Sequence, residues 1–184
     1  VEMEIIPLDV LHQKEICSNP ANRCYFCKRE IFTALRKAAE KDGYTILLDG
    51  TNGSDDAGSR PGMRVLREMK VLSPLQLCEM TKEEIRVLSK KAGLFTWDKP
   101  AYACLATRIP TGTEITGALL EKIEKAEEIL FQMGFTDFRI RLFHGAGRIQ
   151  LPACQMGLAI EKREEILKEL KPYFSEIFLD LEGR

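Results

Sequence analysis

Two cysteines three positions apart, Cys24-Tyr25-Phe26-Cys27, open the first helical stretch, and a third, Cys104, stands alone in a proline-bearing loop between Lys99 and Arg108. A helix N-terminus favours thiolate over thiol, and C-x-x-C spacing lets two sulfurs converge on one metal or on each other. The pair alone does not choose between these chemistries. A thioredoxin-type redox pair needs a preceding strand in a small βαβ unit, whereas Asn19 to Arg23 reads as a loop; half of a zinc ribbon stays open, without the second C-x-x-C of a complete one. The plainer alternative is two small semi-buried residues, since cysteine is among the most buried types. Cations beside Cys104 suit it to act as a nucleophile or metal ligand, against the alternative of an inert core thiol. Cys17, Cys78 and Cys154 lack such neighbours and read as structural.

Arginine supplies the second constellation. Phe138-Arg139-Ile140-Arg141-Leu142 alternates apolar and basic residues, so Arg139 and Arg141 share one strand face, with Arg148 on the following strand and Arg108 just after Cys104. The planar guanidinium fork bonds oxyanions bidentately, so this set suits a phosphate or carboxylate clamp; the alternative is a solvated sheet face. A third polar group, Asp49-Gly50-Thr51-Asn52 with Asp55, directly follows an apolar run. A loop there lies at the carboxyl edge of an α/β sheet, where such folds bind ligands. His12 and His144 are isolated and receive no role. Neither G-x-x-x-x-G-K-[ST] nor G-x-G-x-x-G occurs, so these residues alone do not announce ATP.

The elements that must position these groups follow from periodicity. Val1 to Pro7 reads as a short strand, and Cys27 to Asp42 as a helix stopped by Gly43. Tyr44 to Leu48 is a continuous apolar run, the pattern of a strand covered on both faces. Ser54 to Gly62 is loop-like. Thr81-Lys82-Glu83-Glu84 carries a capping-box signature for a helix ending near Ala92. Pro110-Thr111-Gly112-Thr113 reads as a linker, and Thr116 to Met133 as an amphipathic helix whose stripe includes Ile123, Ala126 and Leu130. Two paired strands, a helix around Glu161 to Leu170 and a strand around Ile177 to Leu181 complete a small α+β unit. The expected domains are therefore 1–112 and 113–184.

Composition excludes several classes. With 27 Lys and Arg against 28 Asp and Glu, the net charge of -1 gives no broad footprint for nucleic acid. No apolar run is long enough to span a bilayer, and no leader pattern opens the chain, so a cytoplasmic protein with reduced cysteines is expected. Val1 is not an initiator Met, although Met removal before Val is chemically reasonable, and the chain stops straight after a strand-like stretch, so a boundary is expected at either end.

Taken in order, Asn22-Arg23-Cys24-Tyr25-Phe26-Cys27-Lys28, Asp49-Gly50-Thr51-Asn52, Arg60-Pro61-Gly62, Ser73-Pro74-Leu75, Thr96-Trp97-Asp98-Lys99-Pro100-Ala101 and Ala103-Cys104-Leu105-Ala106-Thr107-Arg108-Ile109-Pro110 closely resemble the ATP-dependent sulfur transferases of the LarE type. Gly112 to Thr116, Phe138 to Arg141 and Leu179 to Gly183 continue the match over essentially the whole chain. The resemblance implies an α/β fold: a PP-loop pyrophosphatase (adenine nucleotide alpha hydrolase-like) parallel sheet, N-terminally incomplete here, then a small α+β domain. It implies adenylation of a pyridinium-3,5-dicarboxylate mononucleotide followed by sulfur insertion, on the way to the nickel-pincer nucleotide cofactor. Members with one cysteine sacrifice the sulfur equivalent to that of Cys104; members with three hold a [4Fe-4S] cluster. This sequence resembles the cluster type, with Cys24, Cys27 and Cys104 as ligands and Cys104 as the catalytic position; zinc is the alternative metal.

By the same resemblance Arg139 and Arg141 are substrate-phosphate ligands and Arg108 a substrate-side neighbour of the reacting sulfur. Gly50, Thr51, Asn52 and Asp55 form the edge of a site for ATP and Mg2+, and a homo-oligomer is implied. Two departures stand out. The family's S-G-G-x-D-S phosphate loop is absent, so the chain by itself is expected to bind ATP poorly. Gln150 stands where the family often has an acid, which keeps the shape and removes the charge. Two other readings are carried: a related PP-loop enzyme such as a tRNA thiolase or an amidotransferase-like ligase, and a non-catalytic metal-binding remnant.

Overall fold

The computed structural model describes residues 3–55 and 61–184. The first two residues of the expected N-terminal strand, most of the loop over 56–60, and Arg60 of the Arg60-Pro61-Gly62 segment lie outside the described residues. The chain forms two compact units, Val1–Lys99 and Pro100–Arg184. Residues 100–112, with Cys104 and Arg108, belong to the second.

In the first unit, residues 3–10 adopt no regular structure, in contrast to the expected strand. Alternation alone makes no strand where no neighbouring strand takes up the backbone hydrogen bonds. Helix α1 (Lys14–Cys17) precedes α2 (Arg23–Lys41). The α2 helix begins ahead of Cys27 because the Asn19-Pro20-Ala21-Asn22 turn already directs Arg23 N–H to the Pro20 carbonyl at 2.9 Å. Cys24 and Cys27 therefore both lie within its first two turns. The helix ends before Gly43, whose φ of +82° suits the left-handed stop. Helix α2 packs on α3 (Pro61–Glu68) around Phe32, Met63, Leu66 and Val71, with Leu47 and Met69 at the margin. Two polar ties reinforce this: Arg36 donates to the Met69 carbonyl, and Tyr25 Oη donates to Glu68 Oε2 at 2.8 Å.

Tyr44 to Leu48 is where expectation and structure part. Tyr44, Ile46 and Leu48 are 67%, 63% and 62% exposed, and the run contributes a single parallel bridge, Leu48 to Leu72. An apolar run is buried on both faces only when strands flank it and helices cover it; among the described residues one bridge does that work. The short α4 (Pro74–Leu77) and then α5 (Lys82–Lys91) follow. The α5 capping box is present in both directions: Glu84 N–H donates to Thr81 Oγ1, and Thr81 N–H to Glu84 Oε2 at 2.8 Å.

The second unit has a small mixed sheet covered by helices. Helix α6 (Gly117–Gln132) is capped by Thr116, whose hydroxyl accepts from Leu119 N–H, and sends Ile123, Ala126 and Leu130 into the core with no exposure. Strands β1 (Arg139–Phe143) and β2 (Ala146–Gln150) pair antiparallel, and β3 (Ile177–Leu179) adds parallel to β2, giving the order β1-β2-β3. The hairpin turns on His144 and Gly145 alone, with φ of +48° and +84°, matching the backbone twist of the strands. Helices α7 (Met156–Glu161) and α8 (Arg163–Leu170) connect β2 to β3. One continuous core joins Ala126, Leu130, Phe135, Phe138, Ile140, Ile149, Leu151, Ala159, Ile166, Leu170 and Phe174. Gly147 lets the sheet approach it: a Cβ there would lie 2.8 Å from the Phe174 ring. Among the described residues no helix is long and apolar enough to cross a membrane.

Candidate functional site

The first unit contains a cleft of about 480 Å3 lined by Cys24, Lys28, Asp49, Gly50, Thr51 and Asp55, closed by Pro61, Gly62 and Met63. Cys24 is exposed and Cys27 half-buried; at a spacing of three on α2 they share one helix face. Lys28, one turn beyond Cys24, lies across Gly62, where a Cβ would come within 2.9 Å of its Cδ. Asp49 organises the loop. Its Oδ2 accepts from Thr51 Oγ1 at 2.6 Å, and its Oδ1 accepts from Ser73 Oγ at 2.6 Å and from Thr51 N–H at 3.2 Å. Burial acts to raise its pKa, but the Ser73 and Thr51 hydrogen bonds, helped by Lys28, outweigh it and hold Asp49 below its usual value. Further along, Asn52 N–H donates to Asp55 Oδ2 and Ser54 N–H to Asn52 Oδ1. Gly53 N–H donates to the Met80 carbonyl at 2.7 Å, and a Cβ on Gly53 would meet the Glu79 carbonyl oxygen at 2.8 Å. The expected residues Gly50, Thr51 and Asp55 thus line one cleft with Cys24, and Asn52 shapes its loop.

In the second unit Cys104 is exposed and caps a 3-10 turn, Leu105–Arg108. Arg108 is 1% exposed and holds the turn from beneath. Its Nε and Nη2 donate to Glu127 Oε1 and Oε2 at 2.7 and 3.0 Å, and its Nη1 reaches the Ala103 carbonyl and Thr107 Oγ1 at 3.1 Å and the Cys104 carbonyl at 3.4 Å. Glu127, 4% exposed, also accepts from Ile140 N–H and Tyr102 Oη, each at 2.9 Å. All three guanidinium nitrogens of Arg108 are engaged inside the protein, which makes it a residue that positions the Cys104 turn. The Tyr102 ring lies 5.1 Å from the Arg108 guanidinium and 5.5 Å from that of Arg139. Burial first, and then the hydrogen bond to Glu127, raise the Tyr102 pKa. A cavity of about 470 Å3 opens beside it, walled by Tyr102, Phe131, Phe138 and Arg139.

The two strand arginines do share a face, as the alternation predicts, yet they are committed differently. Arg139 is 5% exposed, and its Nη1 and Nη2 donate to the Phe138 and Ala101 carbonyls at 2.6 and 2.7 Å. Arg141 is half-buried; its Nη1 donates to the Thr107 carbonyl at 2.7 Å and its Nε to Gln150 Oε1 at 2.6 Å. Gln150 in turn donates to Asp180 Oδ2 at 2.8 Å. Burial, then the charge of Arg108, lower the pKa of both Arg139 and Arg141. Arg141 and Arg108 together grip the Cys104 turn by its carbonyls.

Glu127, Ser73, Lys28 and Tyr102 received no role from the sequence. For Glu127 a signal existed: it is a carboxylate on the same stripe as Ile123, Ala126 and Leu130, and a charge on a buried stripe requires a partner. The donor chemistry of Cys24 and Cys27 fits two thiolate corners of a metal or cluster. Within either unit, no three His, Cys, Asp or Glu side chains among the described residues gather as a metal-ligating group.

No protein-family model matches the chain. The uncharacterized protein slr1717 of Synechocystis is 36% identical over 183 residues, 98% of this chain and 68% of that protein. The uncharacterized protein MJ0830 of Methanocaldococcus jannaschii is 32% identical over 176 residues, 95% of this chain and 69% of that protein. The pyridinium-3,5-bisthiocarboxylic acid mononucleotide synthase of Lactiplantibacillus plantarum is 29% identical over 177 residues, 96% of this chain and 64% of the synthase, so the chain spans less than two thirds of that enzyme. On these identities the chain belongs to the family of slr1717 and MJ0830, and the Lactiplantibacillus synthase is a further relative.

Proposed function

We propose that the chain is part of an ATP-dependent sulfur transferase that inserts sulfur into an activated carboxylate of a pyridinium dicarboxylate mononucleotide. The observation that carries this reading is the exposed Cys104 thiol on a turn whose carbonyls are gripped by Arg108 and Arg141, in a chain related along almost its whole length to a pyridinium bisthiocarboxylate mononucleotide synthase.

In the proposed reaction the substrate carboxylate attacks the α-phosphorus of ATP and pyrophosphate leaves, forming an acyl-adenylate. Sulfur then attacks the carbonyl carbon, AMP departs, and a thiocarboxylate remains. The Asp49-Gly50-Thr51-Asn52 loop, with Asp55 and Lys28, would border the nucleotide and its Mg2+: carboxylates for the metal, backbone amides and the lysine for phosphate oxygens. The arginine face in the second unit would hold the substrate phosphate, and the Arg108–Glu127 pair would keep the Cys104 turn rigid during attack. The sulfur source is proposed from the cysteine set Cys24, Cys27 and Cys104: when bound by three thiolates, a [4Fe-4S] cluster leaves one iron open for a transferable sulfide. Cys104 would then serve turnover after turnover without being consumed.

The test is anaerobic preparation of the full-length protein followed by iron and sulfide analysis and a sulfur-transfer assay with ATP. The expected result is about four iron and four sulfide per chain, lost together with transfer in Cys104→Ala and in Cys24→Ala. Protein without iron–sulfur absorption sinks the cluster source; protein with the cluster that transfers no sulfur to a pyridinium carboxylate sinks the function.

A further inference from the structure

The cavity of about 470 Å3 in the second unit is lined by neither Cys104 nor Arg141. Its volume is that of a small-molecule site, and its wall is mostly apolar, with Tyr102, Phe131 and Phe138 as aromatic surfaces. Phe138 is buried, whereas Phe131, in the last turn of α6, is 67% exposed.

The polar groups of this wall are matched inside the protein, with two exceptions. Arg139 gives both terminal nitrogens to carbonyls, and Glu127 serves Arg108. Asp137 is paired with Arg184, and Gln155 takes both the amide and the carbonyl of Thr136. Glu124 and Glu128 are the exceptions: both are exposed, and neither has a cationic partner among the described residues. They stand one turn apart on α6, a spacing at which like charges destabilise a helix. The lysines of that helix are engaged elsewhere, Lys125 with Glu121 at 2.7 Å and Lys122 at 4.8 Å from the Phe174 ring. Glu128 accepts a long hydrogen bond from Gln132 Nε2 at 3.4 Å, which brings no charge. The last turn of α6 carries no basic residue, so the negative end of the helix dipole adds to the two carboxylates. The cation of the wall, Arg139, is only 5% exposed. An apolar cavity thus has an unneutralised acidic mouth beside an exposed aromatic ring.

We propose that this cavity binds a small organic cation, an aryl- or alkylammonium. Its apolar body lies against Tyr102 and Phe138, and its charge sits beside Glu124, Glu128 and the Phe131 ring. Carboxylates and an aromatic face both attract an ammonium group, and keeping that group at the mouth holds it away from Arg139. The same carboxylates repel a phosphate, so a mononucleotide is not the ligand. The inference therefore stands apart from the function proposed above.

The experiment is a ligand-observed NMR titration of the whole protein with three probes of similar aromatic body: phenethylammonium, neutral 2-phenylethanol and anionic 3-phenylpropanoate. The cation is expected to bind about tenfold more tightly than the alcohol, and the anion most weakly. The double variant Glu124→Gln/Glu128→Gln should bring the cation down to the level of the alcohol while leaving the alcohol and thermal unfolding unchanged. Phe131→Ala should weaken the cation about threefold. Nicotinic acid mononucleotide added in competition should leave the cation bound. The proposal is overturned if the three probes bind equally, if none binds, if the double variant holds the cation as the parent does, or if the mononucleotide displaces it.

Discussion

The two units bury their apolar residues very differently. In residues 100–184 a continuous core runs from α6 through the sheet to α8, and Glu127 inside it alone serves Arg108, Tyr102 and the Ile140 amide. In residues 1–99 the buried cluster is Phe32, Met63, Leu66 and Val71, while Tyr44, Ile46 and Leu48 face outward beside a single strand bridge. The difference bears on chemistry. Cys104, the thiol of the proposed function, stands on the unit with the continuous core. The proposed nucleotide edge instead sits on a loop held by hydrogen bonds, with Asp49 as the hub.

The sharpest way to break this contrast is Glu127→Ala. It would leave the Arg108 guanidinium buried without its counter-charge and is expected to cost about 3–5 kcal/mol. Denaturant unfolding measures it, and exchange of the Ile140 amide should accelerate, because its acceptor is gone. Replacing Arg108 and Glu127 together by apolar residues should restore much of that loss; if it does not, the pair contributes more than charge matching.

Asp49→Asn tests the other unit through pH. Because the folded carboxyl titrates below its usual value near 3.8, its stabilisation is fully present above that value and is lost as pH falls through the lower folded one. The asparagine variant should therefore be less stable than the parent near neutrality and converge with it in acid. Curves that stay parallel down to acid would mean the Ser73 and Thr51 hydrogen bonds do not favour the ionised form. The smallest effect is expected from Ile46→Ser, within about 0.5 kcal/mol, since an exposed side chain gives up little burial. A loss several times larger would show that Ile46 is covered in the folded protein, and the contrast between the units would shrink.

Local signals in the sequence proved readable where the interaction was itself local. The Thr81–Glu84 box, the α6 stripe, the stop at Gly43 and the β1–β2 hairpin depend on residues within a few positions of one another, and each is present. Arg139 and Arg141 could be put on one face because strand period is two. What they touch could not be read, since the carbonyls of Ala101 and Thr107 lie more than thirty positions away. Tyr44 to Leu48 misled for the converse reason: composition signals that a run wants burial, but neighbours decide whether it is buried.

The cysteine types, their C-x-x-C spacing and the paired arginines are therefore properties of the sequence alone, because they rest on residue identity and element period. The tertiary structure decided which charges are available. It committed Arg108 to Glu127 and Arg139 to backbone carbonyls, and through Gln150 it joined Arg141 to Asp180, leaving Arg148 in a 3.6 Å ion pair with Asp180 and a buried Nε that makes no hydrogen bond among the described residues. A guanidinium's identity gives it five donors, and only the packed fold determines how many remain for a ligand.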